Sequence, residues 1–313
     1  MALLLVGVLL LHIWEEGHSR VPQSGNTDDV ELTYYNGVWY RPRQDVEAVL
    51  LMGIDKAAVD ETLPVQGGYE QSDFLMLLVI DYENMTCTGI HINRDTMAEI
   101  QILTDSGRVE GTFTGQITLA HSYGGSPETR CRNAVTAVSK LMYGIRINRY
   151  ISIAMDGVPV LNDLLGGVTV EVMDDFSGID DTLVQGETVT LWGNHALTYI
   201  RERKRLADST NSHRMERQKQ YLEALQGQLL KKAVSGDDFA LSMLMKLNDY
   251  LVSNCSVEQM ADLADTLEEC GEVRYRTLEG EDVLGDVYYE FHVDEDALQR
   301  LVMELFYEPA QQN

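Results

Sequence analysis

The chain is short of positive charge: 24 Lys and Arg stand against 50 Asp and Glu, for a formal net charge of −26. That balance excludes general binding to nucleic acid, which needs a basic footprint, and disfavours electrostatic adhesion to anionic lipid. Cysteine is scarce too. Cys87, Cys131, Cys255 and Cys270 form no CxxC pair and no zinc spacing, so a cysteine-built zinc site has no support. A Cys255–Cys270 disulfide and four scattered, half-buried thiols both fit that spacing. The seven histidines are dispersed, and HExxH, GxSxG and Walker loops are all absent, which leaves zinc and serine hydrolases without support.

Long apolar runs are also missing. The run in MALLLVGVLLLHIWEEG spans about a dozen residues, short of the roughly 20 that a spanning helix needs. It has no preceding Lys or Arg and no small-residue cleavage site, so it does not read as a signal peptide. It reads as the tail of a membrane anchor, residues 1–14, followed by a polar linker over 15–44. The alternative is an ordinary buried segment. As an anchor it would place everything downstream outside the cytoplasm.

What is present suffices for a sizeable core: 313 residues with 44% apolar content and charge spread along the chain. VEAVLLMGI (46–54) reads as a strand ending at Asp55, DFLMLLVIDY (73–82) as a nearly unbroken apolar strand, and CTGIHI (87–92) as a third. Such continuous strands are covered on both faces, so helices should flank the sheet. The short ENMT turn makes the second and third strands antiparallel. If the first pairs likewise, Asp55, Asp73 and Arg94 share one sheet edge, where two carboxylates beside an arginine suit a metal and an anion. Helix is expected over 128–144, 156–167 and 192–205, and strand over 149–155 and 168–176, with QITLAHSYGG (116–125) in a loop region. This alternation argues an α/β fold with a mixed sheet, and residues 45–313 read as one domain.

Against the acidic background, TYIRERKRLADSTNSHRMERQKQYLEAL concentrates seven basic residues between Arg201 and Lys219. A long helix is expected from about His213 to Val234, with Met215, Leu222, Leu225 and Leu229 buried. Arg214, Arg217, Gln218 and Tyr221 lie at i, i+3, i+4 and i+7 and share another face. An arginine in a first turn opposes the helix dipole unless an anion sits there too, and phosphate suits that place. A solvated or salt-bridged face is the competing reading.

VLLMGID, QSDFLMLLVID, INRDTM, LAHSYGG, LLGGVTVEV, the RER of Arg201 to Arg203, and RMERQ together resemble the LytR-CpsA-Psr family of bacterial cell-envelope proteins, over about residues 46 to 220. The resemblance implies a membrane-anchored enzyme of the cell envelope, with its catalytic domain outside the cell membrane. Such an enzyme moves a phosphate-linked glycopolymer, such as teichoic acid or capsule, from a polyprenyl-pyrophosphate carrier to peptidoglycan. It also implies an α/β fold with an apolar tunnel for the lipid chain, and Mg2+ as cofactor. Carried over, Asp55 and Asp73 match the metal-associated carboxylates. Arg94, Arg201, Arg203, Arg214 and Gln218 match the pyrophosphate-binding side chains, and Arg217 joins them through the shared helix face.

Three positions depart from the family pattern. Gln71 stands where an arginine is common, Gln116 where a lysine is, and Asn211 replaces an aspartate. Asp208 or Asp95 could supply the missing carboxylate, with Asp208 set beside Arg94, Arg201 and Arg203 as a catalytic candidate. Phosphoryl transfer from a pyrophosphate consists mainly of positioning and charge neutralisation, so bidentate arginines carry most of the work. The coordinated loss keeps two other readings open: a non-catalytic binder of polyprenyl pyrophosphate or glycan, and a lipid pyrophosphatase.

Overall fold

The computed structural model describes residues 32–55, 70–203, 205–208, 210–233, 243, 245–286 and 288–310. The anchor expected at 1–14 lies outside the described residues. No helix among those described is long and apolar enough to cross a membrane.

Six strands form the central sheet: β3 (Val46–Asp55), β4 (Gln71–Asp81), β5 (Thr86–Ile92), β8 (Arg149–Ala154), β11 (Leu251–Ser253) and β12 (Val273–Thr277), in the order β11-β8-β3-β4-β5-β12. β4 runs antiparallel to both β3 and β5, while β3–β8 and β5–β12 are parallel. Successive residues of a strand point to opposite faces, and both faces are apolar here. Val49, Leu51, Met76 and Leu78 enter one core, whereas Leu50, Met52, Leu75 and Leu77 enter the other.

Helices α1 (Pro127–Leu141) and α6 (Glu295–Phe306) cover the second of these cores. On the first pack α2 (Gly157–Leu164), α3 (Asn194–Arg201), α4 (Asn211–Ala233) and α5 (Val257–Cys270). The mixed α/β sheet with helices on both faces is therefore as the periodicity predicts. α4 begins at Asn211, two residues earlier than read from the sequence, and Met215, Leu222, Leu225 and Leu229 are buried beneath it. α5 starts on a capping box in which Ser256 accepts from the Gln259 backbone N–H and Gln259 returns a bond to Ser256.

Two hairpins and a third sheet differ from the sequence reading. The stretch taken as linker contains β1 (Thr33–Tyr35) and β2 (Val38–Pro42), with β2 also hydrogen-bonded to the C-terminal β15 (Tyr307–Pro309). Residues between Arg94 and the expected loop form β6 (Met97–Leu103) and β7 (Val109–Gln116). Near the end, β13 (Gly280–Leu284) pairs with β14 (Tyr289–Val293). The strand expected over 168–176 is the shorter β9 (Val168–Glu171), paired antiparallel with β10 (Thr188–Leu191).

The disulfide joins Cys87 to Cys270, with Cα atoms 5.9 Å apart, and Cys255 is a free thiol. The Cys255–Cys270 pairing is thus corrected. β12 docks parallel to β5 with Val273 opposite Cys87, which brings the end of α5 onto the start of β5 across 183 residues of sequence. Local spacing cannot reveal such a contact.

Candidate functional site

The site grows from the ends of three strands. In β3 and β4 the register slips at Gly53 and Ile54: Gly53 faces Phe74 and Ile54 faces Ser72, so Asp73 is the extra residue of a β-bulge. Glycine suits the close approach there, since a Cβ would stand 3.0 Å from the Cβ of Phe74 and 3.1 Å from the Met155 sulfur, and those neighbours would have to yield. The bulge sets Asp73 and Asp55 together at one sheet end, both buried. The turn after β5 supplies Asn93, Arg94 and Asp95, so the shared edge expected from strand directions is what forms.

Around these carboxylates four guanidiniums converge. Arg94 pairs with Asp73 and donates to the Gln71 side-chain oxygen. Arg214, in the first turn of α4, reaches Asp73 Oδ2 and its carbonyl, both at 3.2 Å. Arg201, at the end of α3, binds Asp55 at 2.6 Å, and Arg203 binds the buried Asp95 at 2.6 Å. Arg94 Nε lies 3.5 Å from Asp95, closing the network. Four arginines against Asp55, Asp73 and Asp95 leave one positive charge over, a favourable balance for a bound anion. Burial lowers the Arg214 pKa to about 10, against the opposing pull of Asp73. Burial would raise Asp73, but Arg94 and Arg214 outweigh it and hold the carboxyl below its usual range. Asp55 moves the other way, pushed up by burial and then by the neighbouring Asp73 charge. The Nε–H of Arg214 is buried without a hydrogen-bond partner among the described residues, and that of Arg94 has only its long contact with Asp95. A buried charged donor left unpaired is costly unless a ligand meets it.

The three departures are wired into this network as neutral groups. Gln116 donates to Asp95 at 2.9 Å and to the Tyr289 carbonyl at 2.8 Å. Asn211 donates to the Asn93 side-chain oxygen at 2.7 Å. Gln71 takes the bond from Arg94 already described.

Two expected site residues fall elsewhere. Asp208 is exposed on the loop before α4 and accepts from the Thr210 backbone N–H at 2.8 Å, so the carboxylate in the cluster is Asp95. Arg217 is 1% exposed and faces away: its Nε is 3.0 Å from Asp174, it donates to the Glu202 carbonyl, and its guanidinium lies over Phe176 and Tyr199 at 5.4 and 5.9 Å. Spacing put it on the face of Arg214, but the 300° between i and i+3 leaves room for the two side chains to diverge. Gln218 donates to the Ile200 carbonyl at 3.1 Å and borders an apolar cleft formed with Gly53, Phe74, Met155, Ile200 and Tyr221. Free space there is about 50 Å³, a narrow apolar cleft. Among the described residues no group of three or more His, Cys, Asp or Glu could hold a metal. The pair Asp55 and Asp73 still fits Mg2+, which takes one or two carboxylates and completes its shell with water and phosphate.

A LytR_cpsA_psr family model matches residues 17–306, and the chain belongs to this family. Among similar proteins is a polyisoprenyl-teichoic acid–peptidoglycan teichoic acid transferase TagU of Halalkalibacterium halodurans, 34% identical over 58% of this chain and 53% of that protein. The TagV protein of Bacillus subtilis, named for the same transfer, is 32% identical over 57% of this chain and 42% of its own length. The matched part thus spans about half of these relatives. The crystal structure of B. subtilis TagV shares the fold, with a TM-score of 0.61 at 24% identity, covering 84% of this chain and 96% of that one.

Proposed function

We propose that this protein transfers a phosphate-linked glycopolymer from a polyprenyl-pyrophosphate carrier to peptidoglycan, on the outer side of the cell membrane. The observation that carries this reading is the arginine cluster, four guanidiniums against three carboxylates, set beside an apolar cleft. Arg94, Arg201, Arg203 and Arg214 would grip the diphosphate, and the lipid chain would part the cleft between Phe74, Met155 and α4. Family membership and the transferase names of its relatives support the same activity. The Cys87–Cys270 disulfide supports an oxidising compartment.

In the transfer, an acceptor hydroxyl oxygen attacks the polymer-side phosphorus while the bond to the bridging oxygen breaks. Polyprenyl phosphate leaves with that electron pair, and the hydroxyl proton passes to water. The guanidiniums neutralise charge growing on the leaving and equatorial oxygens, which is where most of the catalytic effect of such sites resides. Asp55 and Asp73 would hold Mg2+, which would supply further neutralisation of the phosphate oxygens when bound.

The neutral side chains at 71, 116 and 211 favour a second reading, a binder of the same lipid without turnover, and one experiment separates the two. Residues 30–313 are incubated with a lipid-linked glycopolymer, Mg2+ and peptidoglycan fragments, and attachment of polymer and release of polyprenyl phosphate are followed. Transfer that is lost in Arg94→Ala and Arg201→Ala is expected. Lipid binding without any product would establish the binder, and the absence of both would remove each reading.

A further inference from the structure

A second hollow opens on the other side of the first turns of α4. Ser212, Met215 and Lys219 share that helix face, opposite His91 and Asn93 at the end of β5 and Tyr275 to Leu278 along β12. Its volume of about 300 Å³ lies at the lower end of the range, about 300–1,000 Å³, typical of small-ligand sites.

The lining sorts the candidate ligands. A polyprenyl chain has no use for the Asn93 amide or the hydroxyls of Ser212 and Thr277. A free phosphate finds no net charge: Lys219 lies 3.9 Å from Glu223 and shares its wall with Glu216, and Arg276 is held by two bonds to Glu304, at 2.7 and 2.9 Å. His91 stays neutral, because burial and then the Arg214 charge lower its pKa to about 3. What remains is aromatic faces interleaved with uncharged donors and acceptors, which suits a carbohydrate: ring C–H groups rest on Tyr275 and Phe291 while hydroxyls and amides bond to the polar groups. The Tyr275 hydroxyl is buried and has no hydrogen-bond partner among the described residues, and a sugar hydroxyl would give it one.

Position gives the pocket its role. Asn93 adjoins Arg94, and Ser212 lies two residues before Arg214, so the hollow shares its rim with the arginine cluster. The rim is fixed from the C-terminal hairpin: Ser212 donates to Asp282 at 2.7 Å, and the Asn93 amide lies 3.4 Å from Ser212 Oγ and 3.5 Å from Asp282. Asp282 is thus a positioning residue for both side chains. We propose that this pocket is the acceptor subsite, binding an amino-sugar residue of the glycan strand so that its hydroxyl faces the diphosphate held by the arginines. The assignment rests on the transferase reading, and it adds where the acceptor lies and what recognises it.

The test uses the full chain with two probes: chitotetraose for the pocket and geranylgeranyl pyrophosphate for the arginine cluster. Thr277→Trp, at an exposed position on the pocket wall, fills the hollow, and Tyr275→Phe removes only the orphaned hydroxyl. Expected are saturable chitotetraose binding by the parent chain, at least tenfold weaker binding by Thr277→Trp and a smaller loss in Tyr275→Phe, with geranylgeranyl pyrophosphate affinity unchanged in both. In the transfer assay Thr277→Trp should raise the acceptor KM and leave the donor KM alone. Chitotetraose that fails to bind the parent chain, or binds Thr277→Trp equally well, overturns the assignment, as does an acceptor KM that does not move. If the parent chain ignores geranylgeranyl pyrophosphate and transfers nothing, the transferase reading fails instead, whatever the sugar titration gives.

Discussion

Arg214 and Arg217 stand three residues apart on α4, both almost fully out of solvent, yet they serve different regions of the molecule. Arg217 belongs to a finished structure. Its charge meets Asp174, its planar face lies against Phe176 and Tyr199, and the Glu202 carbonyl accepts from it. Arg214 belongs to an open one: it shares Asp73 with Arg94, and with Arg201 and Arg203 four guanidiniums there meet three carboxylates, Asp55, Asp73 and Asp95. In a protein at net −26, that local surplus of positive charge marks a place kept for an anion. Neither burial nor an unpaired donor tells the two arginines apart, since Nε of each and one terminal nitrogen of Arg217 lack a hydrogen bond among the described residues; the charge balance around them does.

The comparison breaks most readily at Arg217. Replacing it with Ala strands Asp174 beside an apolar wall and should destabilise the fold by about 3 kcal/mol, read by urea unfolding, while turnover per folded molecule persists. His213, which also bonds to Asp174, keeps the loss from being larger. A change below about 1 kcal/mol would return Arg217 to the candidate site. Arg201→Ala should do the reverse. Its side chain is 41% exposed, so folding should lose less than in Arg217→Ala although Asp55 gives up its partner, whereas transfer should fall about 100-fold through lost transition-state stabilisation. Normal turnover in that variant would detach the cluster from the chemistry.

A smaller effect separates the two faces of the sheet by pH. His91 lies on the site face, with a pKa lowered to about 3, and His121 on the opposite face, lowered to about 4, burial being the first cause in each. Both are held neutral in the fold. As pH falls below about 6.5 the unfolded chain takes up these protons and the folded one does not, so stability present at neutral pH is lost on acidification toward pH 4. Each histidine contributes at most about 1.4 kcal/mol per pH unit to that slope. His91→Gln should flatten it by up to about 1.4 kcal/mol per pH unit between pH 6.5 and 4. An unchanged slope would show that His91 protonates inside the fold and that its pocket is wetter than described.

Much of this was legible in the sequence because it rests on local patterns. Unbroken apolar runs gave β3, β4 and β5, and their short connections gave the directions that set Asp55, Asp73 and Arg94 on one edge. What stayed hidden depends on contacts distant in sequence. The parallel docking of β12 on β5 decides the Cys87–Cys270 pair and closes one wall of the polar hollow, and no local spacing reports it. The divergence of Arg217 from Arg214 is likewise set by Asp174 and two aromatic rings from other segments. Asp208 looked eligible because it is near the arginines in sequence, but its own loop captures it through Thr210.

The finest test of the open region is Asn211→Asp, which restores the carboxylate common in the family. Asn211 donates to the Asn93 oxygen at 2.7 Å, and that oxygen also accepts from the Asp95 backbone N–H at 2.9 Å. An aspartate would turn a donor into an acceptor facing an acceptor, and relief requires Asn93 to flip its amide. The flip forfeits the Asp95 bond but sacrifices little else, since the Asn93 amide nitrogen makes only long contacts, at 3.4 and 3.5 Å. A negative charge at the start of α4 recovers up to about 1 kcal/mol from the helix dipole and adds attraction to Arg214. The net change in stability should therefore stay within about 1 kcal/mol, measured by denaturant unfolding. Affinity for geranylgeranyl pyrophosphate should fall a few-fold, because the added carboxylate cancels the one positive charge left over in the cluster. Affinity that rises instead would mean that the cluster is already too cationic without that aspartate, and that Asn211 is a weakening of the site and not its adjustment.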